Sequence, residues 1–344
     1  MTVPDPALLQ IPASRIDQKV LRLLRLWTGF WFTASDPAPL GLLRLLVGGM
    51  LVYSHLVWGI DLEAFFGPDG WNSAEVIKEI HRGQAVYSFW SMVPNDSLHV
   101  IHQICIGILV LFWIGFLTRI TSIAALVIHV SYCQRAWMAN YGLDQVAGIL
   151  LLYLAIGPSG ATYSVDNCIK KWWQGLQHPA RLGNLSAPRR YASATLAIRL
   201  IQVHYCVIYF FAATAKLQGE AWWRGHGLWR TISNYEYQSI DLTWLAWFPV
   251  ILDLSTHVVI LWELSFAYLI WVRPLRPLML TLGVLMHLGI GAFLGMWTFG
   301  LIMIFGYVAF LSPATVRRIM AWPLALACGT SRTEGRPLQG PEYS

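Results

Sequence analysis

Charge is what this chain has least of. Only 12% of its 344 residues are Asp, Glu, Lys or Arg, well under the roughly 25% of a soluble domain. That shortage excludes a disordered polyelectrolyte. The net charge is +6, yet no basic block or nucleic-acid motif occurs, which excludes a soluble nucleic-acid binder. Cysteine is sparse too. Cys105, Cys133, Cys168, Cys206 and Cys328 form no C-x-x-C pair and keep no regular spacing. This excludes a disulfide framework and argues against a zinc site, so no metal is expected and the thiols read as free, mostly membrane-embedded groups. The familiar signatures G-x-x-x-x-G-K-[ST], H-E-x-x-H and G-x-S-x-G are missing. The first residues lack a basic stretch followed by an apolar one, so insertion is expected to rely on the first transmembrane helix.

Apolar residues fill the space that charge leaves. They make up 56% of the chain, aromatics reach 14% with 18 Trp, and the mean hydropathy is +0.51. Several long apolar runs without charge predict an all-α fold, a polytopic integral membrane helical bundle in contact with the lipid bilayer. About eight transmembrane helices are expected, near 39–58, 98–118, 119–139, 144–158, 194–216, 249–272, 277–294 and 295–312, with interfacial helices beside them. Residues 1–35 read as an N-terminal amphipathic segment, with Leu21, Leu24 and Trp27 at helical spacing and Arg22 and Arg25 between them. Residues 36–315 form one transmembrane domain, and 316–344 a cytoplasmic, partly disordered tail.

Basic residues orient the bundle. With both termini cytoplasmic, the inner segments hold most of Lys and Arg, from Arg15, Lys19, Arg22 and Arg25 through Lys170, Lys171, Arg181, Arg189 and Arg190 to Arg332 and Arg336. The outer segments hold Lys78, Arg82, Arg135, Arg224 and Arg230. This bias is expected of a bacterial inner membrane protein. It leaves two long outer segments, 59–97 with the turn FFGPDGW and 217–248 with Trp222, Trp223, Trp229, Trp244 and Trp247. The sequon Asn184-Leu185-Ser186 then lies inside and unused.

Polar residues inside apolar spans are costly and are therefore the candidates for function. Arg44 and Arg199 sit near inner helix ends, where snorkelling explains them. Lys216 ends a span and shares one helical face with Tyr205 and Tyr209; it is either a snorkelling cation or a partly desolvated base. Glu263 lies well inside its span and must pair, bond to a donor or be protonated. Its roles are a structural ion pair or proton handling. His287, between Gly283 and Gly291 at i±4, is a hydrogen-bonded core residue or a proton acceptor. Asp144 suits a helix N-terminus. His99 and His102, three apart, read as interfacial side chains rather than as a metal pair.

Five sequence pieces occur in order: the Arg44 region after Asp36-Pro37, FFGPDGW at 65–71, YFFAATAKLQGEAWWRG at 209–225, Glu263, and MHLGIGAFLGMWTFGLIMI from Met286 to Ile304. On these pieces the chain resembles the HTTM family, the membrane domain shared with vitamin K-dependent γ-carboxylase, over roughly residues 36–315. The resemblance implies that Lys216 is a base toward reduced vitamin K or menaquinone, with Glu263 and His287 shaping the pocket. It places Tyr205, Tyr209, Asp144, Trp223 and Gly225 on the substrate and cofactor side. In the family, oxygen converts the quinol to a strong base that removes a γ-proton from glutamate, to which carbon dioxide adds. Where the carboxylase has a further histidine, this chain has Met138-Ala139-Asn140-Tyr141-Gly142. It also ends soon after the last span, without the large lumenal portion.

Three functions follow as expectations. The first is a quinol-dependent modification enzyme with an outward-facing site. The second is a non-catalytic membrane factor for maturing or exporting a secreted peptide. The third is a transporter with Glu263 and His287 on a polar path.

Overall fold

The computed structural model describes residues 15–67, 70–71, 73–83, 86, 88–177 and 189–327. Pro68 and Asp69 of the FFGPDGW turn, the Asn184 sequon, Cys328 and the expected tail after 327 lie outside the described residues. Within them the chain is all-α, as the apolar periodicity implies. The principal helices are α1 (Arg15–Phe32), α2 (Ala38–Trp58), α3 (Leu98–Ile114), α4 (Thr118–Arg135), α5 (Gly142–Ile156), α6 (Val165–Gln177), α7 (Ala192–Lys216), α8 (Pro249–Leu269), α9 (Arg276–Leu294), α10 (Trp297–Gly306) and α11 (Pro313–Ala327).

Local chemistry sets the helix ends. Asp36 Oδ1 accepts the Ala38 amide at 2.9 Å, starting α2 where Pro37 and Pro39 supply a fixed φ. Gly115 and Gly295 take left-handed φ values of 76° and 70° and close α3 and α9. The Tyr141 amide donates to Asp144 Oδ2 at 3.0 Å, so Asp144 caps α5 as its place in the sequence suggests.

Each of the eight expected spans is helical, but five helices, not eight, are long and apolar enough to cross a membrane: Ala38–Phe66, Asn95–Ile114, Ala192–Lys216, Pro249–Leu269 and Arg276–Leu294. The reasons differ among the remaining three. At 1.5 Å per residue, the 15-residue α5 spans about 22 Å and the 10-residue α10 about 15 Å, short of a hydrocarbon core of about 30 Å. The 18 residues of α4 are long enough but carry Arg119, His129 and Arg135 with a row of hydroxyls. Those five apolar helices suggest an integral membrane protein, in contact with lipid through side chains such as Leu254, Leu261, Leu278 and Leu285, which face outward.

The helices pack around α2. Its apolar window is 56% buried, against 22% for α9. The most extensive packing joins α7 to α8, α2 to α3, α9 to α10 and α4 to α5. Between helices in lipid the hydrophobic effect gives little, so close van der Waals fit has to hold them. Glycines supply it. A Cβ on Gly283 would strike the Tyr307 ring, one on Gly291 would strike Trp297, and one on Gly306 would enter the Tyr205 ring. The glycines flanking His287 therefore do admit neighbours: Trp297 of α10 at Gly291, and at Gly283 both Trp262 of α8 and Tyr307 of the short 3-10 turn Tyr307–Phe310 that follows α10.

One end of the bundle, the Asp36 end, is tied by polar contacts. Arg317 donates to both Asp36 oxygens at 2.8 Å, and these bonds push its guanidinium pKa above the ordinary value. Ser35 and Tyr191 exchange backbone hydrogen bonds at 3.1 and 2.9 Å. Arg44 does not snorkel. It is fully buried, with Nη2 donating to the Tyr163 carbonyl at 2.5 Å. Nor is Arg199 a free cation, since its guanidinium lies 4.4 Å from the Phe30 ring centroid and 5.7 Å from that of Trp271.

The glycine contacts give a first prediction. Gly306→Ala drives a methyl group into Tyr205 and is expected to cost about 1–3 kcal/mol. Gly107→Ala, where nothing lies within 4 Å, is expected to cost nothing. Thermal unfolding of both variants in the same detergent checks this; equal melting temperatures would refute the packing account.

Candidate functional site

Lys216 is the last residue of α7, and Glu263 lies deep in α8. Side chains on a helix lean toward its N-terminus. In two antiparallel helices they therefore lean toward each other, and the two charges meet. Lys216 Nζ donates to Glu263 Oε1 and Oε2, each at 2.8 Å. The glutamate side chain is 7% exposed and the lysine 24%. The structural-pair alternative for Glu263 and the functional one thus share one geometry. A carboxylate that cannot reach water has a bidentate ammonium partner.

Below the pair, Tyr209 occupies the same face of α7 two turns back. Its hydroxyl lies 2.7 Å from His287 Nε2 and 2.5 Å from the Tyr307 hydroxyl. All three side chains are buried. A hydroxyl chain of this kind can reverse its donor sense, because each oxygen both donates and accepts. Tyr205 is buried one turn further down, with its hydroxyl 3.3 Å from the Ile302 carbonyl. Trp262 and Phe266 of α8 pack on Tyr209 with ring centroids 4.9 and 4.5 Å away. No hydrogen bond among the described residues joins this chain to the ion pair, so the pair and the chain are neighbours rather than one relay.

Beyond the pair lies a cavity of about 950 Å³, lined by the short helices Glu220–Trp223 and Gly227–Ile232, the Leu294–Met296 turn, Thr298 and Tyr141. Trp222 belongs to both regions, since it lines the cavity and its ring centroid is 5.4 Å from Lys216 Nζ. Sequence reading singled out the adjacent Trp223. That side chain is exposed, and its indole N–H donates to the Leu217 carbonyl at 2.6 Å. Gly225, at φ 76°, lies against the Asp253 side chain, where a Cβ has no room. Arg224, His226, Arg230 and Asn234 give the cavity its polar wall.

Asp144 is absent from this site. It belongs to a second buried polar group, among α2, α3, α4 and α5. There His129 Nε2 lies 2.9 Å from the Asp144 carbonyl and 3.6 Å from Cys133 Sγ. His55 Nδ1 lies 2.8 Å from the Leu51 carbonyl, and His102 Nδ1 lies 2.7 Å from the Tyr132 hydroxyl. His99 turns away from His102 to Glu63, at 3.4 Å. Among the described residues, His129, Cys133 and Asp144 are the group whose ligand atoms converge, within 4.8 Å of one another. Sequence reading passed over His55 and His129. The available signal was the i, i+4 spacing of His129 and Cys133 on one helical face, in an otherwise apolar stretch.

Structure therefore gathers Lys216, Glu263, Tyr209, His287 and Tyr205 along the packed face of α7, and adds Tyr307 and Trp222. The chain matches no family model, no curated protein and no solved structure.

The ion pair yields a second prediction. Lys216→Met strands a carboxylate that is almost wholly buried and is expected to destabilise by about 3 kcal/mol or more. Adding Glu263→Gln removes the stranded charge and should recover most of that loss. Melting of the single and double variants measures it; a double variant no more stable than the single one would show that the pair carries little electrostatic weight.

Proposed function

We propose that this protein is an integral membrane enzyme running acid–base chemistry at the Lys216 end of the bundle. The observation that carries the reading is the bidentate Lys216–Glu263 pair, whose lysine lies 5.4 Å from the ring of Trp222, the wall residue that separates it from the large cavity. An ion pair in an apolar setting can store a proton without changing its net charge. When Lys216 passes a proton to Glu263, its free amine takes one from an acidic group of the substrate. The result is a protonated Glu263, a restored ammonium and a negative charge on the substrate, beside that ammonium. His287, Tyr209 and Tyr307 hold α7, α9 and the turn that follows α10 in register around the pair.

Resemblance to the γ-carboxylase membrane domain supplies the co-substrate class, reduced vitamin K or menaquinone. The cavity suits it. Trp222, Tyr141 and Tyr237 offer aromatic faces, Leu294 and Met296 offer apolar ones, and about 950 Å³ is at the large end of small-molecule sites. When bound, the quinol supplies the electrons with which oxygen generates a strong base in the related reaction. Arg230 on the same wall suits the carboxylate of a secreted peptide substrate, while Arg224 is already paired with Glu220. The opposite end holds a cavity of about 570 Å³ edged by Arg119, Lys170, Lys171, Arg189 and Arg317. That basic end supports cytoplasmic termini and an outward-facing Lys216 in a bacterial inner membrane. A second reading, a non-catalytic factor for peptide maturation or export, draws support from Tyr235 and Trp247, which are almost fully exposed in the segment that builds the cavity.

To test the enzyme reading, the purified protein is incubated with reduced menaquinone and oxygen, and its lipid extract is analysed by mass spectrometry. Quinol-to-epoxide conversion is expected, reduced about a hundredfold or more in Lys216→Arg, because arginine does not release its proton. No conversion by the wild type removes the quinol reading. Conversion undiminished in a folded Lys216→Arg variant removes the lysine from the chemistry.

A further inference from the structure

We infer that His129, Cys133 and Asp144 form a binding site for a divalent transition metal ion of the zinc class. The site is separate from the Lys216–Glu263 pair and stands whether or not a quinol is the co-substrate.

Three observations carry it. The first is the donor set and its geometry. An imidazole nitrogen, a thiol sulfur and a carboxylate oxygen lie within 4.8 Å of one another, and His129 and Asp144 are buried. Tetrahedral zinc, with bonds of about 2.3 Å to sulfur and about 2.0–2.1 Å to nitrogen, sets those two ligands about 3.5–3.6 Å apart. His129 Nε2 and Cys133 Sγ are 3.6 Å apart already. One turn of α4 imposes that spacing, so this pair of ligands is brought together by the fold.

The second is charge. A dication held by one thiolate, one carboxylate and one neutral imidazole makes a neutral unit, the form an apolar interior accepts. Binding is balanced as follows. Cys133 loses its thiol proton to solvent and forms a metal–sulfur bond. The His129 ring proton is exchanged from Nε2 to Nδ1, the Nε2–H bond to the Asp144 carbonyl breaks, and the ring turns its Nε2 lone pair from that oxygen to the ion. Asp144 keeps its Oδ2 bond from the Tyr141 amide and offers its other oxygen.

The third is unspent polar capacity beside the group. Asn140 donates Nδ2 to the Cys133 carbonyl at 2.7 Å, while its Oδ1 is buried without a partner. That oxygen is available as a fourth ligand or as acceptor for a metal-bound water. His55 gives a similar sign. Its Nδ1 must donate to the Leu51 carbonyl, which leaves Nε2 a buried lone pair without a donor, with the ring centroid 6.2 Å from that of His129. The large cavity lies next to the group in the chain fold, since Tyr141, whose amide donates to Asp144 Oδ2, is one of its lining residues.

Cobalt(II) titration of the metal-stripped protein in detergent tests the site through absorption alone. One equivalent is expected to bind with tetrahedral ligand-field bands and a thiolate-to-cobalt charge-transfer band, displaced by zinc, and with a proton released. Cys133→Ser is expected to abolish the charge-transfer band, and Asp144→Asn to weaken binding about tenfold or more. If a variant fails to fold, zinc-edge X-ray absorption of the wild type decides. One sulfur at about 2.3 Å beside nitrogen and oxygen at about 2.0 Å supports the site, and a shell of nitrogen and oxygen alone overturns it. So does the absence of stoichiometric binding, or a charge-transfer band that survives in Cys133→Ser.

Discussion

A carboxylate placed far along an apolar helix has to find its counter-charge inside the protein, and Glu263 finds it in Lys216. Much of the arrangement of the second half of the chain depends on that requirement. The pair binds the end of α7 to the interior of α8, the most extensive helix contact in the molecule. Because both side chains lean toward their own N-termini, an antiparallel α7–α8 pair is the arrangement in which they meet. Tyr209 then falls opposite Trp262 and Phe266, and within reach of His287 and Tyr307 on the next two helices.

The same constraint has a different solution in the first half. No carboxylate–ammonium pair occurs among His55, His102, Tyr132, His129, Cys133 and Asp144. Neutral donors and acceptors satisfy most of one another, through Leu51, Tyr132 and the Asp144 carbonyl. What remains over are acceptor atoms without donors. One half of the bundle therefore stores charge as a closed pair, and the other stores ligand capacity as lone pairs. His55 lies on α2 and His102 on α3, while Tyr132, His129, Cys133 and Asp144 lie on the less apolar α4 and the short α5. A helix whose polar side chains are buried in the bundle need not present an apolar surface all round.

How much of this was legible beforehand follows the range of each signal. Helices and their approximate limits came from apolar runs, which are local. The number of apolar crossings did not, because α5 is as short as its apolar segment, α10 is shorter than its own, and α4 hides a polar face. Of the expected site residues, Lys216, Glu263, Tyr209, Tyr205 and His287 converge, since each is an isolated polar group in an apolar helix and such groups are driven together. Asp144 caps its helix as its position implies but sits with His129 and Cys133, not on the substrate and cofactor side where the resemblance puts it. Trp223 and Gly225 sit beside the pair without touching it, and Trp222 takes the place against Lys216.

By itself, the sequence determined that this is a helical protein built for apolar surroundings, where its turns fall, and which polar residues would be costly enough to need partners. Those are properties of composition and of spacing within one helix. Only tertiary structure decided who the partners are. Glu263 meets Lys216 across 47 positions, and Tyr209 meets His287 across 78 and Tyr307 across 98. The cavity and the His129–Cys133–Asp144 group likewise exist only once helices pack, because helical periodicity says which face a residue is on and nothing about which helix that face will meet.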